Sequence, residues 1–380
     1  MVLAMKTRLF TRVGALVLAG AMFTAACGSN GNDNNNNASG SNSDSSSSVK
    51  GLTIDYSKLT GTLTAGGSSF QNAFQEAARG AFSSVASGLT INYDGQAGSG
   101  GGKNQLLTNA QYDFAGSDST LNDAEKGLLN NRTALYFPVV AAPLAIVFHV
   151  GSAQSLQFSA DTLAKIFQRQ ITKWDDAAIK TDNPNATLPS TDIVVVRRDS
   201  GSGSTNNLTG FLKAAAPSTW TLGRGDTVAW PDGTQPAKGS GGIAQLVAQK
   251  DNSIGYVDFA DAKNTSGIYM AKVKNAAGKF VAPSLAGVEK AMSATQVNDD
   301  LTFDPLNAAG DDVYPIAVPT YMIVFKNQPS KVRGEAVKGY LNFIYTDGQD
   351  LAADANYTKL PDAYRTKAIA QLKTLVVPTA

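Results

Sequence analysis

The stretch DIVVVRRDSGSGSTNNLTGFL, Asp192–Leu212, decides the fold. A β-branched run ends in Arg197 and Arg198, and small residues follow in which serine and glycine alternate. By composition alone, SGSGS is a flexible linker. By position it is a strand-to-helix junction. Ile193–Val196 has strand character, and Leu208, Phe211 and Leu212 recur at helical spacing. Such a junction aims backbone N–H groups at one point, where they can cradle an anion.

Two further junctions share this chemistry. In LTAGGSSFQNAFQEAARGAF, a strand through Leu63 meets Gly66, Gly67, Ser68 and Ser69. Phe70, Ala73, Phe74, Ala77 and Ala81 then follow with a helical period. In LTINYDGQAGSGGGKNQLL, a strand over Leu89–Tyr93 enters a glycine-rich loop holding Ser99, before a helix carrying Leu106, Leu107 and Ala110. From Leu52 onward, short β-rich runs alternate with amphipathic helical stretches, which predicts an α/β fold with a largely parallel sheet. Ligands in such sheets sit beyond the carboxyl ends of the strands. Helix N-termini leave about four N–H groups unpaired and carry roughly half a positive charge. Glycine admits close approach and serine adds donors. A single serine at a junction can simply cap its own helix. Three junctions in one chain, one led by two arginines, favour an oxyanion site. AGSGGGKN is not a nucleotide-binding loop, because GxxxxGK[ST] requires glycine at Ala97 and Ser or Thr at Asn104.

A fourth element, YDFAGSDSTL, places Asp118 in a small-residue turn after a strand around Phe114. It can cap a helix beginning near Leu121. Beside the three junctions it has another meaning, since a carboxylate repels an anion unless the ligand carries a proton to donate. Phosphate is protonated at neutral pH and sulfate is not. Asp118 would then penalise a fully ionised ligand by several kcal/mol through repulsion and an unpaired acceptor.

The 380 residues are 43% hydrophobic and 17% charged, with net charge +1, a globular composition long enough for two domains. Near-neutral charge argues against nucleic-acid binding. At the start, the basic MKTRLFTR, the apolar VGALVLAGAMF and the small TAAC read as a signal peptide over residues 1–26. Cys27, the only cysteine, resembles the lipidated residue of a bacterial lipobox, with Thr24 where an aliphatic residue is usual. The Asn/Ser-rich tract that follows, within residues 27–51, reads as a disordered tether.

These junctions, together with ITKWDDAAIKTDNPNATLPSTDIVVVRR, KGSGGIAQLVAQKDNSIGYVDFADA and VYPIAVPTYMIV in that order, resemble the phosphate-binding component of phosphate-specific ABC transporters. The similarity runs from about Leu52 to the C-terminus. It implies a two-lobe periplasmic-binding-protein fold (type II, Venus-flytrap) with the ligand in the interlobe cleft. One lobe would hold residues 52–145 plus 315–380, the other residues 146–314. The crossovers would lie near Ala141–Val150 and Val313–Pro319. By position, the resemblance assigns phosphate contacts to Ser69, the Phe70 backbone N–H, Ser99, Asp118, Arg198, Ser202, Gly203 and Ser204. The family commonly has an acid two residues after the arginine, where this chain has Ser200; Asp199 lies beside it.

The implied function is high-affinity binding of inorganic phosphate outside the cytoplasmic membrane and delivery to an ABC permease driven by a cytoplasmic ATPase. The implied protein is a lipid-anchored monomer with no cofactor, metal or catalytic residue. Two other readings are a binding protein for sulfate, molybdate or arsenate, and a secreted phosphatase. A third is a surface lipoprotein that senses or adheres. Against a phosphatase, the sole histidine, His149, sits in the apolar run LAIVFHV, and neither a GxSxG elbow nor a histidine-rich cluster is present. Trp174, Trp220 and Trp230 read as packing residues. Leu163, Ile166 and Phe167 read as the buried stripe of a helix.

Overall fold

The computed structural model describes residues 49–109 and 111–379. The expectations for the signal peptide, Cys27, the tract up to Ser48 and Ala110 lie outside the described residues.

Among the described residues, nine strands form one continuous sheet. Their order is Leu89–Asp94, Gly61–Gly67, Phe114–Ser117, Ala317–Phe325, Ala134–His149, Ser253–Asp258, Val194–Arg198 and Gln235–Ala237, and Tyr269–Met270 pairs to one side of Ala134–His149. The outer strands pair in parallel, as the alternating pattern predicts. The two central strands do not. Ala317–Phe325 runs antiparallel to both its neighbours, and Ala134–His149 is antiparallel to Ser253–Asp258. Both central strands are buried over nearly their whole length, so their side chains show no alternation that would reveal direction.

The 16-residue strand Ala134–His149 divides the sheet into two halves. Up to Pro143 it pairs with Ala317–Phe325, and from Leu144 it pairs with Ser253–Asp258. In each half, parallel strands end toward helix starts. Gly61–Gly67 leads to the helix Asn72–Ser83, and Leu89–Asp94 to Gly98–Asn104. Val194–Arg198 leads to Gly203–Ala215, and Gln235–Ala237 to Gly239–Gln249.

The core is apolar and aromatic. Helix Asn72–Ser83 buries Phe74, Ala78 and Phe82 at helical spacing, and each fully buried phenylalanine contributes roughly 1.5–3 kcal/mol. Its inward face is rotated from the expected one: Ala73, Ala77 and Ala81 are only half-buried, while Gln75 is fully buried. Helix Ala160–Phe167 is capped by Ser159 and buries Leu163, Ile166 and Phe167, as expected. Helix Leu285–Ser293 is tied to the C-terminal segment, with Tyr364 Oη 2.9 Å from the Met292 carbonyl and 2.7 Å from that of Thr295. Among the described residues, no helix is long and apolar enough to cross a membrane.

Candidate functional site

Where the two sheet halves meet, several serines and an arginine gather around Asp118. Arg198 closes its strand and is 3% exposed. Its Nη1 donates to Ser202 Oγ at 2.9 Å and to Ser69 Oγ at 3.3 Å, so it links the two halves. Its Nε and Nη2 are buried without a hydrogen-bond partner in the protein, as is Ser204 Oγ. Unpaired buried donors are rare and costly, and here they cluster in one place.

The hydroxyl protons can be assigned by counting. Ser202 Oγ accepts from Arg198 Nη1 and from the N–H groups of Ser204 and Thr205, so its own proton is left to donate. Ser69 Oγ accepts from Arg198 Nη1 and the Ser240 N–H, which leaves its proton free as well. The site therefore presents several donors from both halves. A cluster of this kind suits a tetrahedral oxyanion.

Asp118 is the acceptor among these donors. It does not cap the following helix; Asn122 does, in a capping box with Glu125. Instead its Oδ1 accepts from Ser68 Oγ and Thr320 Oγ1, each at 2.6 Å. Its Oδ2 lies 2.7 Å from Ser68 Oγ and 3.4 Å from Ser99 Oγ. Burial pushes the Asp118 carboxyl up to about 6, against the lowering effect of the Ser68 and Thr320 hydrogen bonds and of the Arg198 charge.

The structure brings Ser69, Ser99, Asp118, Arg198, Ser202, Gly203 and Ser204 together. It alters two expectations. The Phe70 N–H, expected to face the ligand, donates to Ser68 Oγ at 3.0 Å because that hydroxyl lies between it and Asp118. The capping alternative holds only for Ser202, which caps helix Gly203–Ala215; the first two junctions have no side-chain cap. Ser99 lies within a helix that starts at Gly98, so the glycine-rich stretch is itself helical. Asp199, the acid next to Arg198 in sequence, does not take up its guanidinium: it accepts from Ser200 Oγ at an exposed position. Arg198 is held by Ser202, Ser69 and the Tyr256 hydroxyl, which accepts from its backbone N–H at 3.2 Å. Ser68, which the sequence places in the first junction without an assigned contact, and Thr320 and Ser240, which it assigns to no contact, also line this cluster. Ser68 adjoined an assigned position, whereas Thr320 had no local signal.

The halves touch directly. Asn207 Nδ2 donates to the Asp118 carbonyl at 2.7 Å, and the Gly100 N–H donates to Gly201 O at 3.2 Å. Gly203 packs so closely that a Cβ there would fall 2.6 Å from Asp118 Cβ. His149 is structural, with Nδ1 3.3 Å from Val247 O. Trp174 and Trp220 are buried, and Trp230 stacks on Tyr256 at 6.4 Å.

Comparison with known proteins gives a consistent outcome. Residues 36–348 match the PBP superfamily domain. The phosphate-binding protein PstS 3 of Mycobacterium leprae is 34% identical over 318 residues, 80% of this chain and 85% of that protein. The phosphate-binding protein PstS of Pasteurella multocida is 33% identical over 295 residues, 76% of this chain and 83% of that protein. Among solved structures, a phosphate-binding protein from Stenotrophomonas maltophilia aligns with TM-score 0.64 at 23% identity, covering 82% of this chain and 94% of that one. That likeness establishes a shared fold.

Proposed function

The chain belongs to the phosphate-binding protein PstS family of the PBP superfamily, and from that premise we propose that it binds inorganic phosphate for import by an ABC transporter. The observation that carries the reading is the pairing of buried, unpartnered donors of Arg198 and Ser204 with one buried carboxylate, Asp118. A fully deprotonated anion can use the donors but meets repulsion at Asp118. A hydrogen phosphate uses the donors and gives its own proton to Asp118.

In this reading Arg198 Nε and Nη2, with the hydroxyls of Ser69, Ser202 and Ser204, grip the phosphate oxygens. The N–H groups at the start of helix Gly203–Ala215 add to that grip. Ser99 supports Asp118. One lobe comprises residues 52–145 plus 315–380 and the other residues 146–314, with helix Leu285–Ser293 leaning on the C-terminal segment. Phosphate engages both lobes only when they meet, so binding shifts the population toward the closed form that a permease recognises. Cys27 carries the lipid anchor outside the cytoplasmic membrane, and the protein acts as a monomeric carrier, not an enzyme.

Calorimetric titration of the purified chain with phosphate, sulfate and arsenate tests this. Phosphate and its protonated analogue arsenate are expected to bind, and sulfate is expected not to. Equal affinity for sulfate would overturn the assignment of Asp118, and measurable phosphomonoester turnover would overturn the carrier role.

A further inference from the structure

A chain of buried polar side chains runs away from the site behind Asp118. Tyr340 Oη lies 2.8 Å from Gln75 Oε1, and Gln75 Nε2 lies 2.8 Å from Gln71 Oε1. Gln71 Nε2 reaches Thr320 Oγ1 at 2.8 Å, and Thr320 Oγ1 reaches Asp118 Oδ1 at 2.6 Å. Tyr340, Gln75, Gln71 and Thr320 have zero exposure, and Asp118 has 4%. Burying two glutamines and a threonine in an aromatic core is expensive unless each polar group is satisfied. Gln71 and Gln75 are one helical turn apart and lie on the same inward stripe as Phe74, Ala78 and Phe82, where apolar residues would pack better.

The direction of every bond is fixed by one contact. Gln71 Nε2 also lies 3.1 Å from the carbonyl of Tyr321, which can only accept. That end of Gln71 must therefore be the amide NH₂, and its carbonyl must face Gln75. The NH₂ of Gln75 then points at Gln71, its carbonyl points at Tyr340, and the tyrosine hydroxyl donates. Thr320 accepts from Gln71, so its single proton is left to donate. Asp118 Oδ1 at 2.6 Å takes it in preference to the Ser117 carbonyl at 3.4 Å. All four donors point toward Asp118, and aligned hydrogen bonds in a low-dielectric interior reinforce one another.

We propose that Tyr340, Gln75, Gln71 and Thr320 form a one-way donor relay whose work is to hold Asp118 as a proton acceptor. These four are positioning residues that set the selection of a protonated oxyanion from behind the site. The proposal rests on the reading of Asp118 as the acceptor of a ligand proton. A carboxyl that drifted to its neutral form would offer a donor where the ligand needs an acceptor, and would no longer repel a fully ionised anion. Ser68 supplies a further local donor to Asp118. The charged and titratable groups around Asp118 are Arg198, which favours its ionised form, and Asp226, Tyr93 and Tyr357, which oppose it or are opposed by it. Lys103 reaches its neighbour Ser119 at 3.1 Å. None of these groups donates through Thr320.

The test is a side-chain carboxyl ¹³C titration of the ligand-free full chain, with the Asp118 signal identified by its loss in Asp118→Asn. Phosphate and sulfate affinities are measured over the same pH range. Thr320→Val is expected to raise the Asp118 midpoint by about one pH unit, the effect of losing a hydrogen bond to a charged group. It should also move the acid limb of phosphate binding upward by the same amount. Thr320→Ser should restore the wild-type midpoint. Tyr340→Phe, which keeps the ring and the packing, should give a smaller rise of a few tenths of a pH unit, and it serves if Thr320→Val does not fold. An unchanged midpoint in both Thr320→Val and Tyr340→Phe overturns the relay. If the midpoints shift but wild type does not bind phosphate, the relay stands and the phosphate reading fails.

Discussion

Lys103 Nζ lies 2.9 Å from Asp226 Oδ2 and 2.9 Å from Glu125 Oε2, with its side chain 1% exposed. One buried cation thus ties helix Gly98–Asn104 to the loop that follows helix Gly203–Ala215, across the junction of the two sheet halves. Removing one partner of a buried pair leaves uncompensated charge and costs about 3–5 kcal/mol where the pair is formed. Lys103→Met should therefore weaken phosphate binding at least tenfold, mainly through faster release. Stopped-flow association and dissociation rates separate the two limbs; a variant that loses only its association rate would contradict this role.

Arg198 supplies the buried cation of the site itself. Arg198→Ala should weaken phosphate binding by two orders of magnitude or more, while circular dichroism and the unfolding midpoint stay near wild type. Arg198→Lys should restore little, because a point ammonium cannot reproduce the guanidinium fork that spans Ser69, Ser202 and the ligand side. Near-normal affinity in the alanine variant, read by calorimetry, would remove Arg198 from the site.

Gly203 packs tightly against Asp118 and Ser99 of the opposite half. A Cβ there would lie 2.6 Å from Asp118 Cβ and 2.7 Å from Ser99 Oγ. Gly203→Ala should hold the halves apart, weaken phosphate binding tenfold or more, and leave the stability of the ligand-free protein unchanged or slightly raised, since alanine suits a helix better. Small-angle scattering with saturating phosphate should show a larger radius of gyration than wild type under the same condition.

The Asp118 carboxyl also makes stability depend on pH. Its folded value, about 6, lies above the ordinary 3.8 because burial disfavours the charge. A group raised in this way stabilises the fold below its unfolded value, and the contribution is lost as pH rises through the folded value. Asp118→Asn should thus match wild type near pH 3 without ligand and become more stable than wild type by pH 7.5, by at most roughly 3 kcal/mol. Urea denaturation at several pH values reads this directly. A variant less stable than wild type at pH 7.5 would contradict the sign. With phosphate present, the same variant should lose discrimination against sulfate.

Much of this was legible along the chain. Arg198 follows a β-branched run and precedes a small-residue turn, so its place at a strand's carboxyl end is a local property. The serines of the three junctions are legible for the same reason. The antiparallel centre of the sheet was not, because fully buried strands carry no alternation to mark their direction. The full inward stripe of helix Asn72–Ser83 is not legible in the sequence, because glutamines carry no apolar signal and only their hydrogen-bond partners show why Gln71 and Gln75 are buried.

By itself the sequence determined the α/β class, the strand-to-helix junctions and the chemistry at each: small residues for close approach, hydroxyls for donors, one arginine for charge. Local propensity and spacing are enough for that, since each feature involves residues within about a helical turn or two. Only the tertiary structure decided which groups act together. Thr320 reaches Asp118 from 202 residues away, and Arg198 meets Ser69 across 129. Such pairs are selected by packing and by the need to satisfy every buried polar group, neither of which leaves a period in the chain.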